Sequence, residues 1–319
     1  MRTSGPFPRR ISLLKAGLAL AGIALLASPV QSQVTPDVTA LRGRADDGDV
    51  DAQNQLGSLY SAGVGGLKPD YAEALRWYRL AADKGFAPAQ YNLAVAYELG
   101  RGVAADERQA FKYYLMAAEQ GYGPAQFNVG NMYTQGRGVG QDYFEANLWY
   151  KQAADGGLAE AQYNLGLAYE LARGMKKDEG QAARWYKQAA EKGYPPALYN
   201  LGLMAEDGRG VAKDATAAAT YYRAAAEQGF AAAQVNYGLL LSEGRPGVAK
   251  DPVQALVWLT RAVQNGARPD ARDTLAARLT ADQVAAANQI LSGRGPVQPA
   301  AVAGVPAPAS APAPSGCNA

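Results

Sequence analysis

The chain has 319 residues, of which 31 are Lys or Arg and 29 are Asp or Glu, with no histidine and a single cysteine, Cys317. The lack of histidine excludes imidazole acid–base catalysis and imidazole metal ligation, and one cysteine excludes an intrachain disulfide. The near-balanced charge leaves no basic stripe of the kind that binds nucleic acid.

Residues 1–32 have the pattern of a secretory signal peptide. Four Arg and Lys residues precede or flank a twelve-residue apolar stretch, Ala16 to Ala27, and small residues lead up to Ser32. This stretch is shorter than the roughly 20 residues that a membrane-spanning helix needs. We therefore expect export to the periplasm or the exterior of a bacterial cell, with a mature chain that begins near Gln33. Attachment to a membrane is expected only if the signal is not cleaved.

Residues 33–48 are expected to form an N-terminal capping helix, and residues 49–267 contain six repeats of one phrase, A-Q-Y-N-L-G. The phrase returns every 36 residues after a first step of 37. A fixed period in this range is typical of a solenoid of helix pairs, none of which can bury its apolar face alone. The first alanine of the phrase lies at Ala52, Ala89, Ala125, Ala161, Ala197 and Ala233.

The first half of each repeat is predicted to be a helix. In the second repeat, Ala89, Leu93 and Tyr97 are spaced by four residues and so lie on one helix face. A mid-helix glycine costs about 1 kcal/mol relative to alanine, and we expect it where two backbones approach closely. These glycines are Gly57, Gly130, Gly166, Gly202 and Gly238, with Ala94 in the second repeat.

The second half of each repeat is predicted to be a helix that begins at an aspartate N-cap. In five repeats a Glu or Gln follows three residues later, which is the spacing of a capping box. An aromatic pair and an alanine pair follow, and a glycine ends the helix; we expect the aromatic pair in the core rather than in a ligand site. The aspartates are Asp70, Asp106, Asp142, Asp178, Asp214 and Asp251, and the glycines are Gly85, Gly121, Gly157, Gly193, Gly229 and Gly266.

The loop inside the repeat, with the sequence G-R-G-V in its commonest form, varies in length. The distance from each N-cap aspartate to the next phrase is always 19 residues, whereas the distance from the phrase to the aspartate is 17 or 18. Insertions in solenoids map to the face that does not pack. We therefore expect this loop to be a free rim.

Residues 268–292 are expected to form a C-terminal capping helix pair, Asp270 to Leu279 and Thr280 to Leu291. Thr280 and Gln283 have capping-box spacing. Residues 293–319 are rich in proline and alanine, and are predicted to be a disordered or polyproline-like tail.

These residues resemble the Sel-one-like repeat (SLR) family, a branch of the tetratricopeptide-repeat superfamily. The family pattern of A-x-x-x-L-G-x-x-Y, G-x-G-V, D and A-x-x-W-Y-x-x-A-A-x-x-G is matched across residues 49–267. The resemblance implies an all-α fold, a right-handed α-solenoid of about six 36-residue helix-turn-helix repeats with helical end caps. It also implies protein–protein contact, frequently in bacterial envelopes. Small departures occur at Ala205, Leu241, Met175 and Leu259.

An asparagine ladder is the first candidate for a binding site. Each asparagine stands one position before the core residue of the phrase, and Gln55 takes its place in the first repeat. Such amides could line a groove and bond both the N–H and the C=O of an extended peptide. Alternatively, each amide satisfies a neighbouring turn of the protein itself. The asparagines are Asn92, Asn128, Asn164, Asn200 and Asn236.

An arginine ladder on the loop rim is the second candidate. A row of guanidinium groups could recognise carboxylates or phosphates of a partner. Alternatively, the arginines are solvated or pair with nearby acids such as Glu98, Glu170, Glu206 and Glu243. The arginines are Arg101, Arg137, Arg173, Arg209 and Arg245.

The sequence contains no nucleophile–histidine pair, and each G-R-G-V lacks the G-K-S/T that completes a phosphate-binding loop. We therefore expect no catalytic residue, no metal and no small-molecule cofactor. The expected function is an exported scaffold or adaptor that binds an envelope protein or peptide through its groove, in the regulation of signalling or the assembly of an envelope or polysaccharide-export complex. The alternative is a cell-wall or β-lactam-acting hydrolase, an activity linked to disulfide-rich members of the family whose cysteine pairs are missing here.

Overall fold

A computed structural model describes residues 37–293. The predicted signal peptide, residues 1–32, and the predicted tail after residue 293 lie outside the described residues. The described residues form fifteen α-helices and no β-strand, which confirms the all-α class and the pairing of helices in repeats of about 36 residues. The helices are α1 Val38–Asp46, α2 Val50–Ala62, α3 Tyr71–Asp83, α4 Ala87–Leu99, α5 Glu107–Glu119, α6 Gly123–Gln135, α7 Tyr143–Asp155, α8 Ala159–Leu171, α9 Glu179–Glu191, α10 Pro195–Asp207, α11 Ala215–Glu227, α12 Ala231–Glu243, α13 Pro252–Gln264, α14 Asp270–Ala276 and α15 Ala281–Leu291.

Each repeat contributes two helices of 13 residues. The first helices are α2, α4, α6, α8, α10 and α12, and the second helices are α3, α5, α7, α9, α11 and α13. Within residues 37–293, no helix has the length and apolar character needed to cross a membrane. The described helices belong to two compact units: α1–α8 form the N-terminal unit, up to residue 176, and α9–α15 form the C-terminal unit, from residue 177.

In the N-terminal unit, each helix packs against the next one along the chain. The segment expected to form the N-terminal cap contains α1, whose Leu41 and Ala45 pack with Leu56 and Trp77 of the first repeat. The same type of apolar cluster recurs between the second and third repeats, around the buried Tyr114.

In the C-terminal unit, the helices α9 to α13 also pack in chain order. Both α14 and α15 lie in the segment expected to form a C-terminal pair, and both pack on α13. The helix α14 ends at Ala276 rather than at the expected Leu279.

An aspartate caps every second helix, as predicted. In α7, Asp142 Oδ1 accepts hydrogen bonds from two backbone N–H groups of the first turn, at 2.8 and 3.1 Å. The predicted return bond from Glu145 to the Asp142 N–H is not formed, because that N–H already donates to the carbonyl of Tyr133 at 3.0 Å. Among the described helices, the complete capping box is that of α15, between Thr280 and Gln283.

The mid-helix glycines of the first helices lie against a side chain rather than, as expected, primarily against another backbone. A Cβ atom on Gly130 would lie 2.6 Å from Cε1 of Tyr150, and one on Gly202 would lie 2.4 Å from Cε1 of Tyr222. Each tyrosine belongs to the second helix of the same repeat. The glycine therefore provides the space into which that ring packs.

The prediction that the G-R-G-V loop is a free rim is wrong. A Cβ atom on the second glycine, Gly138, would lie 2.2 Å from the carbonyl oxygen of Glu107, at the start of the preceding second helix. Gly210 lies equally close to the carbonyl of Glu179. Both glycines have a positive φ, of 67° and 65°, which disfavours any other residue. The loop is thus part of the packing between successive repeats.

Candidate binding surface

In α4, α6 and α8, one face of the helix is half-buried or exposed rather than buried. In α4, Ala89 and Leu93 are buried, whereas Asn92 and Val95 are half-buried and Leu99 is exposed. Positions separated by four, three and four residues lie on one side of a helix. We call the residues at these four positions in α4, α6 and α8 of the N-terminal unit the first-helix stripe. They are Pro88, Asn92, Val95 and Leu99 of α4, Pro124, Asn128, Asn131 and Gln135 of α6, and Glu160, Asn164, Leu167 and Leu171 of α8.

Three of the predicted asparagines lie on the first-helix stripe, and their amides contact the preceding repeat. The Nδ2 atom of Asn92 donates to Oδ1 of Asn54 at 2.8 Å. The Nδ2 atom of Asn164 lies 3.5 Å from Oδ1 of Asn131. These bonds fix the orientation of each amide, and the half-buried position of each side chain leaves part of it accessible to a partner.

Asn128 lies beside a cluster of tyrosines. Its side-chain amide lies close to the hydroxyl groups of Tyr91 and Tyr114 and acts to lower the pKa of each. The Tyr91 ring lies 5.4 Å, between centroids, from the rings of both Tyr114 and Tyr122. Burial raises the pKa of Tyr91 and of Tyr114 above the ordinary value for tyrosine. Both hydroxyl groups therefore remain protonated at neutral pH and can act as donors.

The two remaining asparagines lie in the C-terminal unit. Asn236 is only 2% exposed, and its Nδ2 atom lies 3.5 Å from the hydroxyl of Tyr199. A side chain with so little exposure cannot contact a partner without a change in structure, so the groove-lining role does not extend to Asn236. Asn200 is half-buried.

The arginines of the ladder differ in exposure: Arg101, Arg173 and Arg245 are exposed, and Arg137 and Arg209 are half-buried. Arg137 bridges Glu98 and Glu107 of the preceding repeat, with a distance of 2.9 Å from its Nε to Oε1 of Glu107. Burial alone would lower the pKa of Arg137, but the hydrogen bonds to Glu98 and Glu107 outweigh it and raise that pKa. Glu98 also accepts a hydrogen bond from the Tyr114 hydroxyl at 2.6 Å. This network joins the loop of the third repeat to both helices of the second.

The other loop arginines have contacts within the protein as well. Arg209 and Arg245 pair with the acids two residues before them, at 3.4 and 2.6 Å. The Arg101 guanidinium group lies 5.6 Å from the centroid of a tyrosine ring in the preceding repeat. The backbone carbonyl of Arg173 accepts a hydrogen bond from the buried Asn147 at 2.7 Å. The ion pairs of Arg137, Arg209 and Arg245 favour the alternative in which these arginines pair with nearby acids.

The glutamine of the A-Q phrase has a role that the sequence analysis missed. Gln126 is buried, and its Nε2 atom donates to the carbonyl of Ala118, at the end of the preceding second helix, at 3.3 Å. The bond spans eight residues and joins two successive repeats. It is repeated by Gln53, Gln90, Gln162 and Gln234.

The inner member of each aromatic pair forms the core of its repeat. Tyr114, Tyr150 and Tyr222 are at most 4% exposed. The outer member, such as Trp149, is half-buried, except for the buried Trp77 of the first repeat. The expected core position thus applies in full to the inner residue and in part to the outer one.

Charge is distributed unevenly between the two kinds of helix. None of the six first helices contains Lys or Arg, whereas every second helix contains at least one. The first-helix stripe has one ionisable residue, Glu160. Within residues 37–293, no group of three or more His, Cys, Asp or Glu side chains could hold a metal ion. The stripe therefore presents amide and apolar groups rather than charges.

The family described as Sel1 repeat matches the chain at residues 50–86, 87–122, 123–158, 159–194, 195–230 and 231–266. The solved structure of a Sel1 repeat protein from Oxalobacter formigenes is 33% identical, with a TM-score of 0.64, and the match covers 73% of this chain and 93% of that chain. The structure of c5321, described as a protective antigen present in uropathogenic Escherichia coli strains displaying an SLR fold, is 30% identical with a TM-score of 0.57. That match covers 80% of this chain, which spans only 62% of the length of c5321. Among curated proteins, none matches.

Proposed function

The chain belongs to the Sel1 repeat family, and from that premise we propose that it is an exported protein–protein interaction scaffold. It binds an extended segment of an envelope protein along the first-helix stripe, in the regulation of a signalling protein or the assembly of an envelope or polysaccharide-export complex. The observation that carries the proposal is the combination of accessible apolar side chains and oriented amides on one face of consecutive first helices. Leu99 is 49% exposed, and Asn92 is held by Asn54 beside it.

The chemistry of the stripe suits a peptide backbone. An extended peptide has free N–H and C=O groups, and an asparagine side chain can bond to both. Asn92, Asn128 and Asn164 come from consecutive repeats and are already oriented by neighbours, which reduces the entropy lost on binding. Val95 and Leu99 would contact apolar side chains of the bound segment.

Binding without catalysis is part of the proposal. Beside the stripe on α4, Glu98 is held in bonds within the protein, because it accepts from the Tyr114 hydroxyl and pairs with Arg137. A carboxylate that is paired with an arginine in this way is less available as a general base than a free one.

Export is proposed from the sequence of residues 1–32. The test is N-terminal sequencing of the protein purified from its own cells. A mature terminus near Gln33 in the periplasmic or secreted fraction is expected, and an intact Met1 on cytosolic protein would contradict it.

Two matched substitutions test the binding surface. Leu99→Asp places a charge on the first-helix stripe, and Leu148→Asp places one on α7, a second helix, where the leucine is 45% exposed. Neither should unfold the protein, because both side chains are already in contact with water. We expect proteins captured from an envelope extract by the unmodified chain and by Leu148→Asp to be lost with Leu99→Asp.

The outcome separates the stripe from the rest of the surface. The affinity of the captured protein for Leu99→Asp should fall at least tenfold, because a charge would be buried without a partner. Equal capture by both variants would exclude the stripe as the binding surface. If only Leu148→Asp abolishes capture, the partner binds to the second helices instead.

The asparagines can be tested together. Replacing Asn92, Asn128 and Asn164 by alanine removes three amides worth about 0.5–1.5 kcal/mol each. If they bind the partner, affinity should fall by tenfold to a thousandfold in a protein that is still folded by circular dichroism. If they serve only the fold, the melting temperature should fall and affinity should follow the folded fraction alone.

A further inference from the structure

The second helices of the N-terminal unit expose large apolar side chains that the repeat itself does not require. Four of them, on α3, α5 and α7, are between 36% and 60% exposed: Leu80, Met116, Phe144 and Leu148. At the places that Phe144 and Leu148 take in α7, the helix α9 of the C-terminal unit has Gly180 and Arg184. A second helix therefore forms without apolar residues at these positions, and their presence in α7 needs another reason.

The C-terminal unit shows an apolar residue at one of these positions in a covered state. Val257 of α13 follows its capping Asp251 by six residues, as Leu148 follows Asp142. Val257 is only 1% exposed, and the helix α15 packs on α13. An apolar residue at this position is thus buried where a further helix packs on the second helix. Leu148, which is 45% exposed, lacks such a cover.

The helix α5, which lies between α3 and α7, exposes charges of both signs on one face. Tyr113 of α5 packs with the apolar cluster that contains Tyr78 of α3, and Trp149 of α7 packs with the cluster that contains Tyr114 of α5. The exposed residues of α5 are spaced by four, four and three residues, which places them on one side of the helix. They are Arg108, Lys112, Met116 and Glu119.

These charges serve neither an ion pair of the described chain nor the helix itself. Within residues 37–293, no acid forms an ion pair with Arg108 or Lys112, and no base forms one with Glu119. In α7, by contrast, Lys151 pairs with the final acid at 2.6 Å. Arg108 lies in the first turn of α5 and Glu119 is its last residue, so both charges oppose the helix dipole. This order of charges suits an antiparallel helix that carries the same charges.

We infer that the chain forms a homodimer through the second-helix patch, which is the exposed face of α3, α5 and α7 with the side chains named above. A two-fold axis at the middle of α5 places this helix antiparallel to α5 of the second copy, and α3 against α7 of the second copy. Arg108 then lies opposite Glu119 of the second copy, and Leu80 lies close to its Leu148. A two-fold interface requires such self-complementarity, because each pair of residues occurs twice.

The area of the second-helix patch is sufficient for a stable dimer. Each of the three helices has 13 residues, which corresponds to a length of about 20 Å and, with side chains, a width of about 10 Å. Three neighbouring helices therefore cover on the order of 600 Å² in each copy, or about 1,200 Å² in both. Specific interfaces between proteins begin at about this size.

The dimer goes beyond the proposed function and does not depend on it. The first-helix stripe lies on α4, α6 and α8 and stays free when the second helices pair. The dimer presents two such stripes, which increases the avidity for a partner with two binding segments. A partner with one segment binds equally well to a copy that does not dimerise, so the two surfaces can be tested separately.

Charge reversal tests the antiparallel pairing. In sedimentation equilibrium the purified protein should form a dimer in the presence of a reducing agent, which excludes a disulfide through Cys317. Arg108→Glu and Glu119→Arg each place like charges opposite one another, and each alone should raise the dissociation constant of the dimer at least tenfold. An equimolar mixture of the two variants should form dimers again, because every pair in the mixed dimer has opposite charges.

The thermal stability of the two variants separates association from folding. Each reversal replaces a charge that opposes the dipole of α5 by one that agrees with it. The melting temperature of each variant, measured at a concentration where the unmodified protein is monomeric, should therefore be equal to or higher than that of the unmodified protein. A weaker dimer in these variants cannot then result from unfolding.

The two leucine variants exchange their roles in this experiment. Leu148→Asp introduces a charge into the second-helix patch and should raise the dissociation constant of the dimer at least tenfold. Leu99→Asp, on the first-helix stripe, should leave it unchanged.

Three results would overturn the inference. They are a protein that stays monomeric at every concentration, a dimer that neither charge reversal weakens, and a mixture of the two variants that is no more dimeric than each variant alone. If the dimer fails in one of these ways while Leu99→Asp still abolishes capture of the envelope partner, the proposed function stands without the dimer. If the dimer forms as inferred while capture does not depend on Leu99, the second-helix patch stands and the first-helix stripe does not.

Discussion

The first and second helices of each repeat have the same length but differ in how their ends and faces are stabilised. Five of the six first helices begin without a side-chain cap, whereas all six second helices begin with a capping aspartate. The second helices carry every basic residue of the helix pairs and most of the buried tyrosines, while Tyr199 and Tyr237 lie on the first helices α10 and α12. The first helices carry the buried glutamines, the mid-helix glycines and a face without basic residues.

This difference indicates a division of roles. A second helix is stabilised by its own cap and by the large ring that it places in the core. A first helix depends on its neighbours, through a glutamine that bonds the previous repeat and a glycine that receives the ring. The outer face of α4 and α8 is joined to the preceding first helix by a single amide bond, and this is the face that we propose for binding.

The largest effect should come from the ring itself. Tyr150→Ala removes a side chain that is 4% exposed and should cost about 3–5 kcal/mol, because the cavity cannot be refilled. Trp149→Ala, next to it on the same helix, should cost about half as much, since that side chain is half-buried. Denaturant melts measure both. A larger loss for Trp149→Ala would mean that the outer residue, not the inner one, anchors the second helix.

The same tyrosine should make the fold sensitive to alkali. Burial raises the pKa of Tyr150 to about 12, against hydrogen bonds from Thr134 and Asn164 that lower it. The pKa in the folded state lies above the value of about 10 in the unfolded state. Stability from the neutral ring is therefore fully present below pH 10 and is lost as the pH rises from 10 to 12, by on the order of 2 kcal/mol.

Tyr150→Phe is the matching variant for the alkaline effect, because it keeps the ring and removes the ionisable group. Its free energy of unfolding, measured below pH 10 and near pH 12, should fall less than that of the unmodified chain. Parallel losses in the two proteins would show that Tyr150 does not contribute to alkaline unfolding.

Replacing the glycine opposite this ring should have opposite effects on stability, depending on whether the ring is present. Gly130→Ala should destabilise the protein by about 1–3 kcal/mol, since its Cβ atom would lie 2.6 Å from the Tyr150 ring. In a Tyr150→Ala background the same change should stabilise by up to about 1 kcal/mol, because alanine is the better helix former. Additive effects in the double variant would argue against the contact between this first helix and its second helix.

Much of this organisation was predictable because its chemistry is local. The period, the capping aspartates and the terminal glycines of the second helices depend on residues a few positions apart, and the structure confirms them. The all-α class followed from those spacings, and the family followed from the resemblance of the repeated residues to the Sel-one-like pattern.

The missed features depend on contacts between repeats. The sequence does not reveal that Gln126 reaches a carbonyl of the previous helix, or that Arg137 reaches Glu98 at a distance of 39 residues along the chain. Gly138 seemed to belong to a free loop because only packing shows the carbonyl of Glu107 against it. Asn236 has the same place in the repeat as Asn92, and its burial depends on the neighbouring helices.

Removing the cap of a second helix should lower stability moderately, and only the aspartate side chain should matter. Asp142→Ala removes the acceptor for two N–H groups and should cost about 1 kcal/mol. Glu145→Ala should change stability by less than about 0.5 kcal/mol, because the Asp142 N–H is already bonded to Tyr133. Denaturant melts compare the two. If Glu145→Ala lowers the free energy of unfolding as much as Asp142→Ala does, the reciprocal capping box is formed after all.

The smallest effect should come at the end of a first helix, where the repeats differ at one position. Five first helices end at a glycine with positive φ, and α8 ends at Ala172 with a φ of 55°. An L-residue is strained in this conformation, so Ala172→Gly should stabilise the protein by about 0.5–1 kcal/mol, despite the greater backbone freedom of glycine in the unfolded chain. The reverse change, Gly136→Ala at the end of α6, where φ is 71°, should destabilise by a similar amount. If the melting temperature shifts in the same direction for both variants, the backbone conformation of this residue does not determine the stability of the first helix. The C-terminus of the helix would then be stabilised, like its N-terminus, by neighbouring residues alone.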